Sequence, residues 1–154
     1  MSNNSRTEIK KPFIINGDLS ADDRGELMFV NQFNMELVKR FYVVSNHKQG
    51  FIRAWHAHKV ESKYVFIVYG AALISTVQID NWDNPSNDLT VDKFVLTAKK
   101  PSILYIPSGY ANGFKTLSTY TKIIFFSTST LKESIDDDYR FDAYKWNPWE
   151  IIER

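Results

Sequence analysis

The stretch Gly50-Phe51-Ile52-Arg53-Ala54-Trp55-His56-Ala57-His58-Lys59-Val60-Glu61-Ser62-Lys63-Tyr64-Val65-Phe66-Ile67-Val68-Tyr69-Gly70 decides the fold. It holds two runs rich in aromatic and β-branched residues, Phe51 to His58 and Tyr64 to Tyr69, each punctuated by glycine. Such runs predict short strands. In a strand, residues two apart share a face, so His56 and His58 project together to one side. The spacing is regular as well. Five residues separate Gly50 from His56, four separate His58 from Lys63, and six separate Lys63 from Gly70.

Outward from this stretch the same pattern repeats. Strand-like runs cover Glu26 to Phe33, Leu37 to Ser45, Ala72 to Ile79, Thr90 to Leu96, Ile103 to Ile106, Gly113 to Leu117 and Thr121 to Thr128. Turn residues divide them: Asp22-Asp23-Arg24-Gly25, Asn46 to Gly50, Pro107-Ser108-Gly109, and an exposed hairpin loop over 80–88 that contains Pro85. Only Thr130 to Arg140, with acids at 136–138, reads as helical. Many short strands and little helix predict an all-β sandwich or barrel. Residues 1–11 read as a polar N-terminal tail, and 12–154 as one domain, since 154 residues suffice for a single core.

Composition narrows the function. Hydrophobic residues make up 44% and aromatics 15%, enough for a sheet-rich interior. The net charge is +1 and the basic residues form no stripe, which argues against a nucleic-acid partner. The absence of cysteine excludes disulfides, thiolate metal sites and a cysteine nucleophile. No apolar run approaches the roughly 20 residues of a membrane span, and Met1-Ser2-Asn3-Asn4-Ser5 is too polar for a signal peptide. The expectation is a cytoplasmic enzyme or binding protein that does not engage a membrane.

The glycine-histidine spacing resembles the first motif of the cupin superfamily: Gly, five residues, His-x-His, three or four, Glu, six, Gly. Five residues also separate Pro101 from Pro107-Ser108-Gly109, and two more reach Asn112. This resembles the second cupin motif, Pro-x-Gly-x-x-His. The resemblance implies a cupin jelly-roll β-barrel with a short C-terminal helical or irregular segment. Two positions depart from a metal-binding cupin: Lys63 stands at the glutamate and Asn112 at the last histidine. An ammonium repels a dication, asparagine is a poor transition-metal ligand, and His47 lies in a turn. The expectation is a barrel without metal or cofactor. Imidazole moves protons at neutral pH, and a nearby ammonium stabilises an oxyanion as it forms. Together they suit proton abstraction beside a carbonyl.

Over nearly the whole chain, from about Asp18, the sequence resembles the nucleotide-sugar cupins: dTDP-4-dehydrorhamnose 3,5-epimerases and dTDP-sugar 3,4-ketoisomerases. Asp23-Arg24-Gly25, Arg53 to His56, Ile106-Pro107-Ser108-Gly109-Tyr110-Ala111-Asn112-Gly113-Phe114 and Trp146-Asn147-Pro148-Trp149 are similar to epimerase segments. Lys39-Arg40-Phe41-Tyr42 and His56-Ala57-His58-Lys59 are similar to ketoisomerase segments. The resemblance implies a nucleotide-sugar substrate and a homodimer. It implies His56 as the base beside the C4 ketone, Lys63 as the enolate stabiliser, and Arg24 and Arg53 near the diphosphate. Asn112, at the second-motif histidine, joins the substrate-binding candidates. Phe125 stands where epimerases carry a general-acid tyrosine, and Tyr42, matching a ketoisomerase tyrosine, is the alternative donor. His58 is the second candidate base. Asp138 and Asp142 are candidate partners for His56. The competing expectations are epimerisation at C3 or at C3 and C5, 3,4-ketoisomerisation, and non-catalytic sugar binding. A metal-dependent dioxygenase fits the residues least.

Overall fold

A computed structural model describes residues 11–154. Apart from Lys11, the expected N-terminal tail lies outside the described residues. Twelve strands and one short helix follow each other along the chain: β1 (Phe13–Asn16), β2 (Asp18–Asp22), β3 (Gly25–Phe29), β4 (Arg40–Ser45), β5 (Ile52–Ala57), β6 (Lys63–Tyr69), β7 (Ala71–Gln78), β8 (Val91–Thr97), β9 (Ser102–Ile106), β10 (Tyr110–Thr116), β11 (Lys122–Ser127), α1 (Leu131–Ile135) and β12 (Tyr139–Arg140). They form two antiparallel five-stranded sheets, β1-β9-β6-β11-β4 and β12-β5-β10-β7-β8, plus a β2-β3 hairpin. This is the jelly-roll architecture the sequence implies. Among the described residues no helix is long and apolar enough to cross a membrane.

The facing sides of the two sheets bury one core. Val65, Ile67, Leu104, Ile106, Ile123 and Phe125 come from the first sheet, and Ala72, Ile74, Leu96, Tyr110 and Phe114 from the second. Period-2 alternation puts these residues inward because alternate side chains leave a strand on opposite faces. The second sheet is also covered on its outer side. Trp55, Ala57, Leu73, Val77 and Ala111 pack there against Trp149, with Trp146, Phe141 and Tyr139 around them. The C-terminal segment is thereby tied down: the indole N–H groups of Trp55 and Trp149 donate to the carbonyls of Lys145 (2.8 Å) and Ala143 (2.7 Å). The near-continuous burial of β7 and β10 follows from this double coverage.

Three expectations need correction. The stretch 130–140 is not one helix. Thr130 and Glu133 form a capping box on α1, which ends at Ile135, and Tyr139–Arg140 then pairs with Ala57 and His56 of β5. Strands β1 and β2 have no counterpart among the expected runs, because their segments are short and poor in alternation. β10 begins at Tyr110 rather than Gly113, since Gly109, at φ 86°, completes the turn and its N–H donates to the His58 carbonyl at 2.8 Å. That bond joins the two cupin-like motifs. The loop 80–88 does connect a hairpin, β7 to β8, and Asp80 organises it by accepting from the backbone of Asn81 and Ser86.

Candidate active site

At one end of the core the two sheets leave a cavity of about 320 Å³. Arg40, Tyr42 and Val44 face it from β4, Lys63 from β6, Phe125 from β11, and Asn112 and Phe114 from β10. Arg53 and His56 of β5 and His58 just beyond it complete that wall, while Ser134, Asp138 and Arg140 close the rim. Residues 53 and 56 are three apart and in a regular strand would face opposite ways. A bulge removes the conflict. Asn112 pairs with His56 and Phe114 with Arg53, so Gly113 alone opposes both Ala54 and Trp55. Glycine is required there by contact: a Cβ on Gly113 would lie 2.4 Å from that of Ala54.

The cavity is cationic. Lys63, Arg40, Arg53 and Arg140 line it against the single carboxylate of Asp138. Arg140 pairs with Asp138 at 3.1 Å, and Arg53 is held by Asn46, whose side-chain oxygen accepts from its Nε at 2.8 Å. Burial pushes His56 down to about 4, the positive charges of Lys63 and Arg140 push the same way, and the Asp138 carboxylate opposes them. At neutral pH His56 is therefore an uncharged imidazole able to take a proton. The Lys63 ammonium lies over the Tyr42 ring (5.7 Å) and the Phe125 ring (5.8 Å), and is kept inside the barrel. Tyr42 stacks on Phe125 with centroids 5.2 Å apart and planes 7° from parallel.

His58 is held differently. Its Nδ1 lies 2.6 Å from the Asp137 carbonyl, so Nδ1 carries a hydrogen and donates it. Nε2 is 3.1 Å from Oε2 of Glu61, out of line for a hydrogen bond. Burial and then Lys63 push His58 down, while Glu61 and the Asp137 carbonyl push it up. The Asp137 carboxylate accepts from the backbone N–H groups of Lys59, Val60 and Glu61 at 2.7, 2.9 and 3.0 Å, fixing the loop after β5.

Of the residues expected from sequence, His56, His58, Lys63, Tyr42, Arg53 and Asn112 lie around this one cavity. Asn112 donates its side-chain N–H to the His56 carbonyl at 3.2 Å. Arg24 does not reach it within the chain: it sits in the β2-β3 turn, paired with Asp22 and 87% exposed. Asp138 is at the cavity rim, whereas Asp142 is exposed and accepts from the Tyr144 backbone at 2.9 Å. Sequence alone does not single out Arg40, Glu61, Ser134, Asp137 and Arg140 as site residues. The inward direction of Arg40 and Glu61 depends on where β4 and the β5-β6 loop begin. Among the described residues no group of three or more His, Cys, Asp or Glu is arranged to hold a metal.

The family model described as dTDP-4-dehydrorhamnose 3,5-epimerase matches residues 6–147. The chain belongs to this family. It is an isomerase family, in accord with the class expected from the sequence. The chain is 27% identical over 136 residues to the spore coat polysaccharide biosynthesis protein SpsL of Bacillus subtilis strain 168, covering 82% of this chain and 89% of that one. Its fold is similar to the dTDP-4-dehydrorhamnose 3,5-epimerase of Bacillus anthracis solved with TDP and PPi, at TM-score 0.74 and 21% identity over 97% of this chain and 90% of the other. It is similar as well to a 3,4-ketoisomerase from Helicobacter canadensis, at TM-score 0.64 and 20% identity over 84% and 90%. Proteins of both reaction types thus share this fold.

Proposed function

We propose that this protein is an isomerase of a nucleotide-linked 4-keto-6-deoxy sugar, epimerising at C3, or at C3 and C5, by proton abstraction beside the ketone. The observation that carries the proposal is the pairing of a neutral His56 with the Lys63 ammonium in one cationic cavity. The imidazole takes the carbon-bound proton, and the electron pair left behind moves onto the carbonyl oxygen. An ammonium in a partly desolvated site stabilises that charge far better than water does. Arg53, at the mouth, suits a diphosphate, because a guanidinium offers paired donors to phosphate oxygens. The names of its relatives support a place in polysaccharide biosynthesis.

One observation favours a second reading, 3,4-ketoisomerisation. Phe125 supplies no proton where an epimerase tyrosine is expected, while Tyr42 and His58 face the same cavity. The test is incubation in D₂O with a panel of nucleotide-linked 4-keto sugars. Deuterium at C3 or C5 with an inverted centre supports epimerisation, and a carbonyl moved to C3 supports ketoisomerisation. Protection against melting without any carbon-bound deuterium would leave a sugar-binding module instead.

A further inference from the structure

Four cationic side chains line the cavity, and three of them pair with a carboxylate. Arg40 Nη2 lies 3.1 Å from Glu61 Oε1, Lys63 Nζ 4.0 Å from Glu61 Oε2, and Arg140 Nε 3.1 Å from Asp138. Arg53 differs. Among the described residues no carboxylate pairs with it, and its Nε donates instead to the Asn46 side-chain oxygen at 2.8 Å. Asn46 follows β4 in the turn that leads to β5, the strand that carries Arg53. The other contacts of the Asn46 amide fix which way it points. Its Nδ2 donates to the Phe51 carbonyl at 3.1 Å and to Thr116 Oγ1 at 3.4 Å. A carbonyl only accepts, so the atom turned to Arg53 is the amide oxygen. Thr116 is buried and ties the same turn again, its Oγ1 accepting from the Gly50 N–H at 3.1 Å.

We propose that Asn46 is a positioning residue whose neutral amide holds Arg53 in place while leaving its charge uncancelled for the diphosphate. This rests on the diphosphate reading of Arg53 given above. With Nε committed to Asn46, the guanidinium keeps its two terminal nitrogens, Nη1 and Nη2, for phosphate oxygens. A side chain held beforehand has less freedom to lose when the anion arrives, which favours binding. A carboxylate at position 46 could accept from Nε equally well. It would also offset the positive charge and repel the phosphates. Arg40, Lys63 and Arg140 already stand beside such carboxylates. The cations of the cavity are thus divided by their partners. Those facing Glu61 and Asp138 are balanced within the site, and Arg53 is the one left to receive an incoming anion.

The test is calorimetric titration of the full chain with inorganic pyrophosphate at low ionic strength, in the parent, Arg53→Ala, Asn46→Ala and Asn46→Asp. Arg53→Ala should weaken binding about tenfold or more, the loss of a charge-assisted contact. Asn46→Ala should weaken it less, since the charge remains and only its placement is lost. Asn46→Asp should weaken it more than Asn46→Ala, because the carboxylate offsets the cation. A merely structural role gives no such order, since both variants lose the donor to Phe51 and Asn46→Asp still offers Arg53 an acceptor. A loss in Asn46→Asp no larger than that in Asn46→Ala would therefore refute the assignment. With a substrate that exchanges, Asn46→Asp should raise KM and change the saturated rate much less. If the Asn46 variants fail to fold, NMR of the parent decides. The Arg53 Nε–H signal, identified by its loss in Arg53→Ala, should exchange slowly with water and persist when pyrophosphate is bound. Exchange as fast as that of a freely exposed arginine would overturn the proposal. Unchanged pyrophosphate binding in Arg53→Ala would remove the diphosphate reading and this proposal together. A loss in Arg53→Ala without the expected order at Asn46 would remove this proposal alone.

Discussion

At the scale of single residues, the two histidines look equivalent in sequence and are not equivalent in the barrel. Burial and the cations around His56 hold it near 4, well below the ordinary 6.5. A base is active in its neutral form, so lowering the value extends activity toward acid. The acid limb of kcat/KM for carbon-proton exchange should lie near pH 4, and a limb near 6.5 would show an unperturbed imidazole doing the work. Arg53 belongs to binding rather than to chemistry. Arg53→Ala should raise KM for the nucleotide sugar about tenfold or more, the loss of a charge-assisted bond, and change the saturated rate much less, as steady-state kinetics would show. Strand alternation puts His56 and His58 on one side, whereas Lys63 enters the candidate set only through the cupin-like spacing. Glu61 and Asp137 escaped it. They act from loops, where no period tells inward from outward, and their roles appear only as contacts to His58.

At the scale of elements, the site depends on the irregularity in β5. A regular strand would place either Arg53 or His56 outside, and the bulge opposite Gly113 brings both in. Gly113→Ala should therefore destabilise the fold by about 1–3 kcal/mol, the usual cost of overpacking, because the added methyl meets Ala54. A lowered urea midpoint with an unchanged slope would show it, and an unchanged midpoint would mean the strands can separate freely there. The central strands were legible because their aromatic and β-branched runs are long and closed by glycine or proline. β1, β2 and β12 were not, having four, five and two residues and depending on partners far along the chain. The acids at 136–138 suggested a longer helix. Asp137 instead turns its carboxylate to the β5-β6 loop and its carbonyl to His58, which ends the helix in favour of the site.

At the scale of the whole molecule, the outer face of the first sheet carries a row of aromatic side chains. Phe13, Tyr105, Tyr64, Phe126 and Phe41 are successive cross-strand partners and form an aromatic row over all five strands. Phe41 remains 63% exposed and Val43 54%. The family resemblance implies a homodimer in which Arg24 would serve the neighbouring active site. Light scattering at high protein concentration should give twice the chain mass, and a monomer there would remove that role for Arg24. Proton transfer in the cavity is tested most directly by His56→Asn, since the amide keeps size and polarity but accepts no proton at neutral pH. The measurement is deuterium gained by a nucleotide-linked 4-keto sugar in D₂O, compared between the parent protein and His56→Asn with binding checked by calorimetry. The expected result is exchange in the parent and a loss of about a hundredfold or more in the variant, with affinity nearly intact. Near-normal exchange by His56→Asn would contradict the account and move the base to His58.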